Sequence, residues 1–179
     1  MPEIEIRPVI ETDVPVLAGI EHAYKSNYCW QMELTSQERE ITVNFREIRL
    51  PRQITVEYPR KPELLLQDWT RRTGLLAGVL GCVPIAYISI MEGMSPSTAC
   101  VTDLVVALYF RRKGIATAMV MAGQEWARGR HNRRMILEMQ SKNMPAIRLA
   151  LKLGFEFCGY NDLYYSNQDI ALFFAQFLR

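Results

Sequence analysis

The chain has 179 residues, of which 49% are hydrophobic and 22% charged, with a formal net charge of +2. That length suits one packed domain, here expected over residues 1–179, and falls short of two; the composition is globular, and so small a charge gives no ground for a nucleic-acid partner. No apolar run reaches the roughly 18 residues of a membrane span, and residues 1–7 lack a cationic start followed by an apolar core, so no membrane association and no secretory signal are expected.

The clusters Arg46, Arg49, Arg52 and Arg128, Arg130, Arg133, Arg134 are diluted by acids and read as solvated surface. Cys29, Cys82, Cys100 and Cys158 show no CxxC spacing and lie in or beside apolar runs. They read as buried free thiols of a reducing compartment, with neither a disulfide framework nor a metal site, which makes a cytoplasmic location the expectation.

Residues 3–8 alternate charged and apolar side chains, the period of a half-buried strand. Thr12 or Asp13 then caps a helix with Pro15 in its first turn. Residues 22–34 hold Tyr24, Tyr28, Trp30 and Met32 among polar residues. Such spacing suits either core packing or the wall of a pocket for a cationic or amphipathic ligand. From residue 40 the alternation of Ile41, Val43 and Phe45 with Thr42, Asn44 and Arg46 predicts a long strand, stopped by Pro51. Extended structure resumes at 54–58. Residues 51–62 read as a connection, and 63–72 as either a short helix, the favoured reading, or a strand-like extension.

Residues 75–92 read as two apolar strands around a turn near Gly81 to Pro84, and 99–108 as a third. A helix is predicted over 114–128 with Ile115, Met119, Ala122 and Trp126 on one stripe, then a buried strand at 134–140. A second helix spans 143–153 and ends at Gly154. The tail carries strand-like pieces at 155–160 and 170–177. The order predicts a mixed α/β fold around one sheet.

Residues 103–119 concentrate the chemistry. An apolar strand runs into Arg111, Arg112, Lys113 and Gly114 and then into a helix. A helix start offers unpaired N–H groups and the positive end of a dipole, and glycine lets the backbone approach an anion closely. The pattern R-x-x-G-x-A (Arg111, Gly114, Ala116) is weak alone. Its context is a preceding strand, then a helix opening at Asn143 with Ala146 and closing on Leu153, Gly154 and Phe155. Together these resemble the GNAT acetyltransferase superfamily, most clearly over residues 75–165, and Ile4, Ile6, Arg7 and Pro8 are similar to its usual opening. Residues 102–106, 137–140 and the tail from Leu163 look closest to its streptothricin-type antibiotic acetyltransferases.

The resemblance implies a mixed, mostly antiparallel sheet flanked by helices and splayed at the coenzyme. It implies transfer of acetyl from acetyl-CoA to a primary amine by direct attack in a ternary complex. Backbone N–H groups of residues 112–117 (Arg112, Lys113, Gly114, Ile115, Ala116, Thr117) would meet the pyrophosphate, with charge from Arg111, Arg112 and Lys113. Leu104, Val105 and Val106 would hold the thioester arm as an added strand, and Asn143 would contact the coenzyme.

An alkyl amine with a pKa of about 10.4 must lose a proton before it attacks. Asp103, which interrupts an apolar strand, is the first candidate base, with Glu92 and Glu138 as alternatives. Binding of a substrate cation is the other reading of Asp103. The family's frequent tyrosine acid would fall at Ala150, so Tyr165, or Tyr164 or Tyr160 beside it, is the candidate acid. Tyr24, Tyr28, Trp30 and Glu138 are candidate contacts to a small-molecule amine, and a homodimer is an open option. The rival functions are acetylation of protein or peptide amines and a non-catalytic acyl-CoA-binding domain.

Overall fold

The computed structural model describes residues 3–179. Its strands are β1 (Glu5–Pro8), β2 (Tyr24–Gln37), β3 (Glu40–Val56), β4 (Gly74–Leu80), β5 (Val83–Glu92), β6 (Thr98–Val106), β7 (Arg134–Gln140), β8 (Glu156–Asn161) and β9 (Ala171–Phe177). The α-helices are α1 (Val14–Ala18), α2 (Glu63–Asp68), α3 (Ile115–Gly129) and α4 (Met144–Lys152). A seven-stranded sheet takes the order β1-β4-β5-β6-β7-β9-β8, and β2 and β3 form a separate ribbon. All neighbours are antiparallel except β6 and β7, which α3 links in parallel. The family-implied sheet is thus the observed one.

The continuous apolar runs of β4, β5 and β6 form the middle of the sheet because both faces are covered. Leu75, Ala77, Val79, Tyr87 and Val105 pack with Val14 and Leu17 of α1 and Leu65 of α2. Leu76, Ile88, Ile90, Val101 and Leu137 pack with Ile115, Met119 and Val120 of α3 and Ile147 and Ala150 of α4. Alternation along the strands sends these two sets to opposite faces.

The register between β5 and β6 slips between the pairs Ser89–Asp103 and Ile90–Val101. Thr102 is therefore the extra residue of a β-bulge, which breaks the alternation. Val101 points to the α3 face, while Asp103 joins Val105 on the α1–α2 face. Pairing of β6 with β7 runs from Thr98–Arg134 to Val101–Leu137 and ends there, although β6 continues to Val106 and β7 to Gln140. The two strands part at the bulge.

Several local expectations change. Residues 22–34, read as a wall or core segment, belong mainly to β2, whose Trp30 N–H donates to the Ser141 carbonyl at 2.9 Å. Pro51 does not stop the second ribbon strand. It falls in the irregularity between the pairs Ser26–Ile54 and Tyr28–Arg49, where its missing N–H breaks no paired register, so β3 runs on to Val56. Residues 51–56 are thus strand, and the connection shortens to 57–62. Residues 63–71 are α2 followed by a 3-10 turn, as the helix reading expects. Of the four thiols, Cys100 alone is buried; Cys82, in the β4–β5 turn, and Cys158, on edge strand β8, are exposed, and all four are free.

Candidate functional site

At the start of α3, Arg112 and Gly114 take left-handed backbone with φ of 64° and 86°. Glycine adopts that region without steric cost, so the chain can turn sharply from the end of β6 into the helix. No side chain caps α3, and the first bond into its helical ladder is donated by Ala118 N–H to the Gly114 carbonyl at 3.1 Å. The N–H groups of Ile115, Ala116 and Thr117 precede that bond, which leaves them aimed along the helix axis. Arg112 and Lys113 are exposed beside them.

Arg111 differs from the expectation that it serves an anion. Its Nε donates to the Val106 carbonyl at 2.8 Å, Nη1 to the Ala23 carbonyl at 2.7 Å, and Nη2 to the Glu21 carbonyl. The guanidinium clamps the end of β6 to the segment that enters β2. Asn143 caps α4, its Oδ1 accepting the Ala146 N–H at 3.1 Å.

Leu104, Val105 and Val106 pair with Ile88, Tyr87 and Ala86 of β5, while on the side of β7 pairing has stopped. An unpaired strand edge of this kind accepts an extended ligand by main-chain hydrogen bonds. It lies between the α3 start and a buried polar cluster on the α1–α2 face.

Asp103 is central to that cluster. Its carboxylate accepts Tyr58 Oη at 2.9 Å, Arg72 Nη1 at 3.0 Å and Thr102 Oγ1 at 3.2 Å, and Arg60 Nη1 stands 3.7 Å away. Arg72 also donates to Ser89 Oγ at 3.0 Å and pairs with Asp68 one helical turn earlier. Glu138, on β7, pairs with Arg60 Nη2 and accepts Tyr164 Oη at 3.2 Å. The Arg60 guanidinium lies 5.5 Å from the ring centre of Tyr165. Burial, and then Glu138, hold the Tyr165 hydroxyl proton far above its ordinary range, so Tyr165 stays neutral. Beside Tyr87, the His22 ring accepts from Tyr87 Oη at 2.8 Å with Nε2, its Nδ1–H donating to the Ile20 carbonyl. A groove of about 440 Å³ lined by Arg60, Lys61, Leu64, Tyr164 and Tyr165 opens over the cluster.

The structure therefore brings Asp103, Glu138 and Tyr165 together. Other candidates lie elsewhere. Glu92 pairs with Arg130 and Asn132 where β5 meets Ala99, at the opposite end of β6 from the splay. Trp30 packs against Phe157 and Phe174, which is core packing. Tyr28 lies under the Arg148 guanidinium at 5.3 Å. Tyr24 Oη donates to Gln140 at the end of β7, at 2.8 Å. Ala150 is fully buried against the sheet. Tyr58, Arg60 and Arg72 escape sequence reasoning. The signals available were two prolines bracketing Arg60 and the i,i+4 spacing of Asp68 and Arg72.

The unpaired N–H groups at residues 115–117, the positive φ at Gly114 and the open edge of β6 fit the pyrophosphate and amide-rich arm of a CoA thioester. The family model "Acetyltransferase (GNAT) family" matches residues 41–155. Streptothricin acetyltransferase A of Bacillus subtilis (strain 168) is 33% identical over 79 residues, 42% of this chain and 46% of that protein, so the match spans about half the length of the relative. A crystal structure of nourseothricin acetyltransferase superposes with a TM-score of 0.80 at 19% identity, covering 98% of this chain and 99% of that one. A candidate streptothricin acetyltransferase of Bacillus anthracis str. Ames, in complex with acetyl coenzyme A, gives 0.75 at 17% identity over 98% and 99%. The ribosomal-protein-S18-alanine N-acetyltransferase of Escherichia coli gives 0.68 at 16% over 98% and 94%. These structural likenesses establish the fold.

Proposed function

Because the chain belongs to the acetyltransferase (GNAT) family, we propose that it transfers an acetyl group from acetyl-CoA to a primary amine of a small molecule by direct attack in a ternary complex. The observation that carries this reading is the parting of β6 and β7 at Thr102. It sets an open strand edge between an uncapped α3 start on one side and two buried carboxylates on the other. The N–H groups of residues 115–117, with Arg112 and Lys113, hold the pyrophosphate, Leu104 to Val106 align the thioester arm, and Asn143 flanks the coenzyme.

The amine nitrogen bonds to the acetyl carbon, the carbon–sulfur bond breaks, and the proton shed by the amine goes to Asp103, directly or through water. Tyr165 is a neutral donor beside Glu138. The departing thiolate needs little help, since a thiol pKa of about 8.5 makes it a fair leaving group. The groove bounded by Arg60, Lys61, Leu64 and the two tyrosines, about 440 Å³, has the size for a small acceptor. The likenesses to streptothricin and nourseothricin acetyltransferases, by name enzymes of small-molecule acceptors, support that choice.

Thiol release from acetyl-CoA across small mono- and diamines and a peptide with a free N-terminus tests the proposal. Turnover with small amines is expected. Preference for the peptide would move the chain to protein acetylation, and tight CoA binding without turnover on any amine would leave an acyl-CoA-binding domain. If Asp103 is the base, Asp103→Asn lowers kcat/KM most at low pH; an unchanged pH–rate profile removes it from that role.

A further inference from the structure

Arg60 is the member of the charge cluster nearest the groove. Its side chain is 27% exposed, against 4% for Asp103 and 1% for Glu138. It rises from residues 57–62, between Pro59 and Pro62, outside any helix or strand. Carboxylates withdrawn from water need cations, and these two depend on Arg60 unequally. Asp103 keeps Arg72 at 3.0 Å whether or not Arg60 stays, whereas the one ion pair of Glu138 among the described residues is with Arg60. The guanidinium is also bonded to the Thr102 carbonyl at 2.7 Å and lies over the Tyr165 ring. A carboxylate, a carbonyl and an aromatic face together make a receptor for an organic cation, filled here by the chain's own side chain.

A molecule reaching Glu138 through this groove must displace Arg60. The attacking amine itself must be neutral when it reacts, so it cannot replace the lost positive charge. A monoamine would leave Glu138 buried and unpaired, while a second, protonated amine on the same acceptor would restore the pairing. Resting on the amine-acetyltransferase reading above, we infer that Arg60 is a displaceable stand-in for a second cationic group of the acceptor, which makes it the residue that selects dications over monocations.

The apparent affinity for such an acceptor is the intrinsic one reduced by the fraction of molecules in which Arg60 has left. Putrescine and butylamine, as diamine and matched monoamine, are assayed by thiol release with the full chain, its Arg60→Met and its Arg60→Lys variants. Wild type favours putrescine in kcat/KM by roughly tenfold or more. In Arg60→Met the KM for putrescine falls several-fold, and that for butylamine falls less. Arg60→Lys lies between, because an ammonium lacks the two-pronged fit to carboxylate and carbonyl.

A putrescine KM that rises or stays level in folded Arg60→Met overturns the inference, since Arg60 would then bind the acceptor or only brace Glu138. Equal use of both amines by wild type also overturns it. If Arg60→Met fails to fold, a putrescine KM in Arg60→Lys below wild type supports the inference, and one equal or higher overturns it. If no amine is turned over, the transfer reading fails separately. Calorimetric titration of putrescine then decides, tighter binding by Arg60→Met supporting displacement and equal or weaker binding overturning it.

Discussion

Asp103 is buried inside the sheet among donors and cations. Replacing it by Asn leaves Arg72 without its buried partner and turns one carboxylate oxygen into an amide donor facing Tyr58 and the guanidinium groups. Breaking a buried pair from one side costs about 3–5 kcal/mol. For a chain of this length that lowers the melting temperature by on the order of 10 °C, measurable by calorimetry apart from any change in rate. A thiol nearby reports the same environment. Burial, and then Glu138, push Cys100 up to about 12, while Cys82 is exposed in a turn. Only thiolate reacts with alkylating agents, so iodoacetamide at about pH 8 should label Cys82 and leave Cys100 unmodified until the chain is unfolded. Early labelling of Cys100 in the native protein, seen by peptide mass spectrometry, would show that the β6 core opens readily.

The turn from β6 into α3 is the element on which coenzyme binding rests. At Gly114 φ is 86°, and a Cβ in that region costs about 1–2 kcal/mol. Gly114→Ala should therefore lower the melting temperature by a few degrees, but relaxation of the strain also re-aims the N–H groups of residues 115–117. The KM for acetyl-CoA should rise several-fold while that for the amine holds. Gly81→Ala supplies the control: φ is 60° there, in the β4–β5 turn, so a similar loss of stability should come with no change in either KM. Elements such as α3, α4 and the central strands are legible in the sequence because local period, caps and breakers specify them. The ribbon is less so. Trp30 and Phe45 settle against Phe157, Phe174 and Tyr160, residues far along the chain, and Pro51 reads as a stop until the pairing partner shows that it sits in an irregularity.

At the scale of the whole molecule, the site collects residues that are distant in sequence. Asp103 and Glu138 stand out in the sequence because each interrupts an apolar strand. Their partners do not: Tyr58 and Arg72 lie 45 and 31 residues from Asp103, and Arg60 lies 78 from Glu138, separations that carry no periodic signal. The folded network has a pH dependence of its own. His22 packs against Tyr58 and Tyr87, and burial above all holds its pKa below the ordinary 6.5, aided by the charge of Arg111 and against the opposing pull of the Ile20 carbonyl, Asp103 and Glu21. As pH falls through 6.5 the unfolded chain takes up a proton that the folded one still refuses. Stability is therefore whole above that value and declines below it, down through the lower folded value. Asp13 acts in the same direction at lower pH. The Arg7 guanidinium, 2.6 Å away, holds its carboxyl below the ordinary 3.8, so this contribution is present above 3.8 and lost as acid protonates the pair. The melting temperature should be level between about pH 7 and 8, slope downward from 6.5, and fall again below 3.8. In His22→Gln the amide can still accept from Tyr87 and donate to the Ile20 carbonyl but does not titrate. The first slope should then vanish while the second remains, and a first slope that survives the substitution would assign it to a group other than His22.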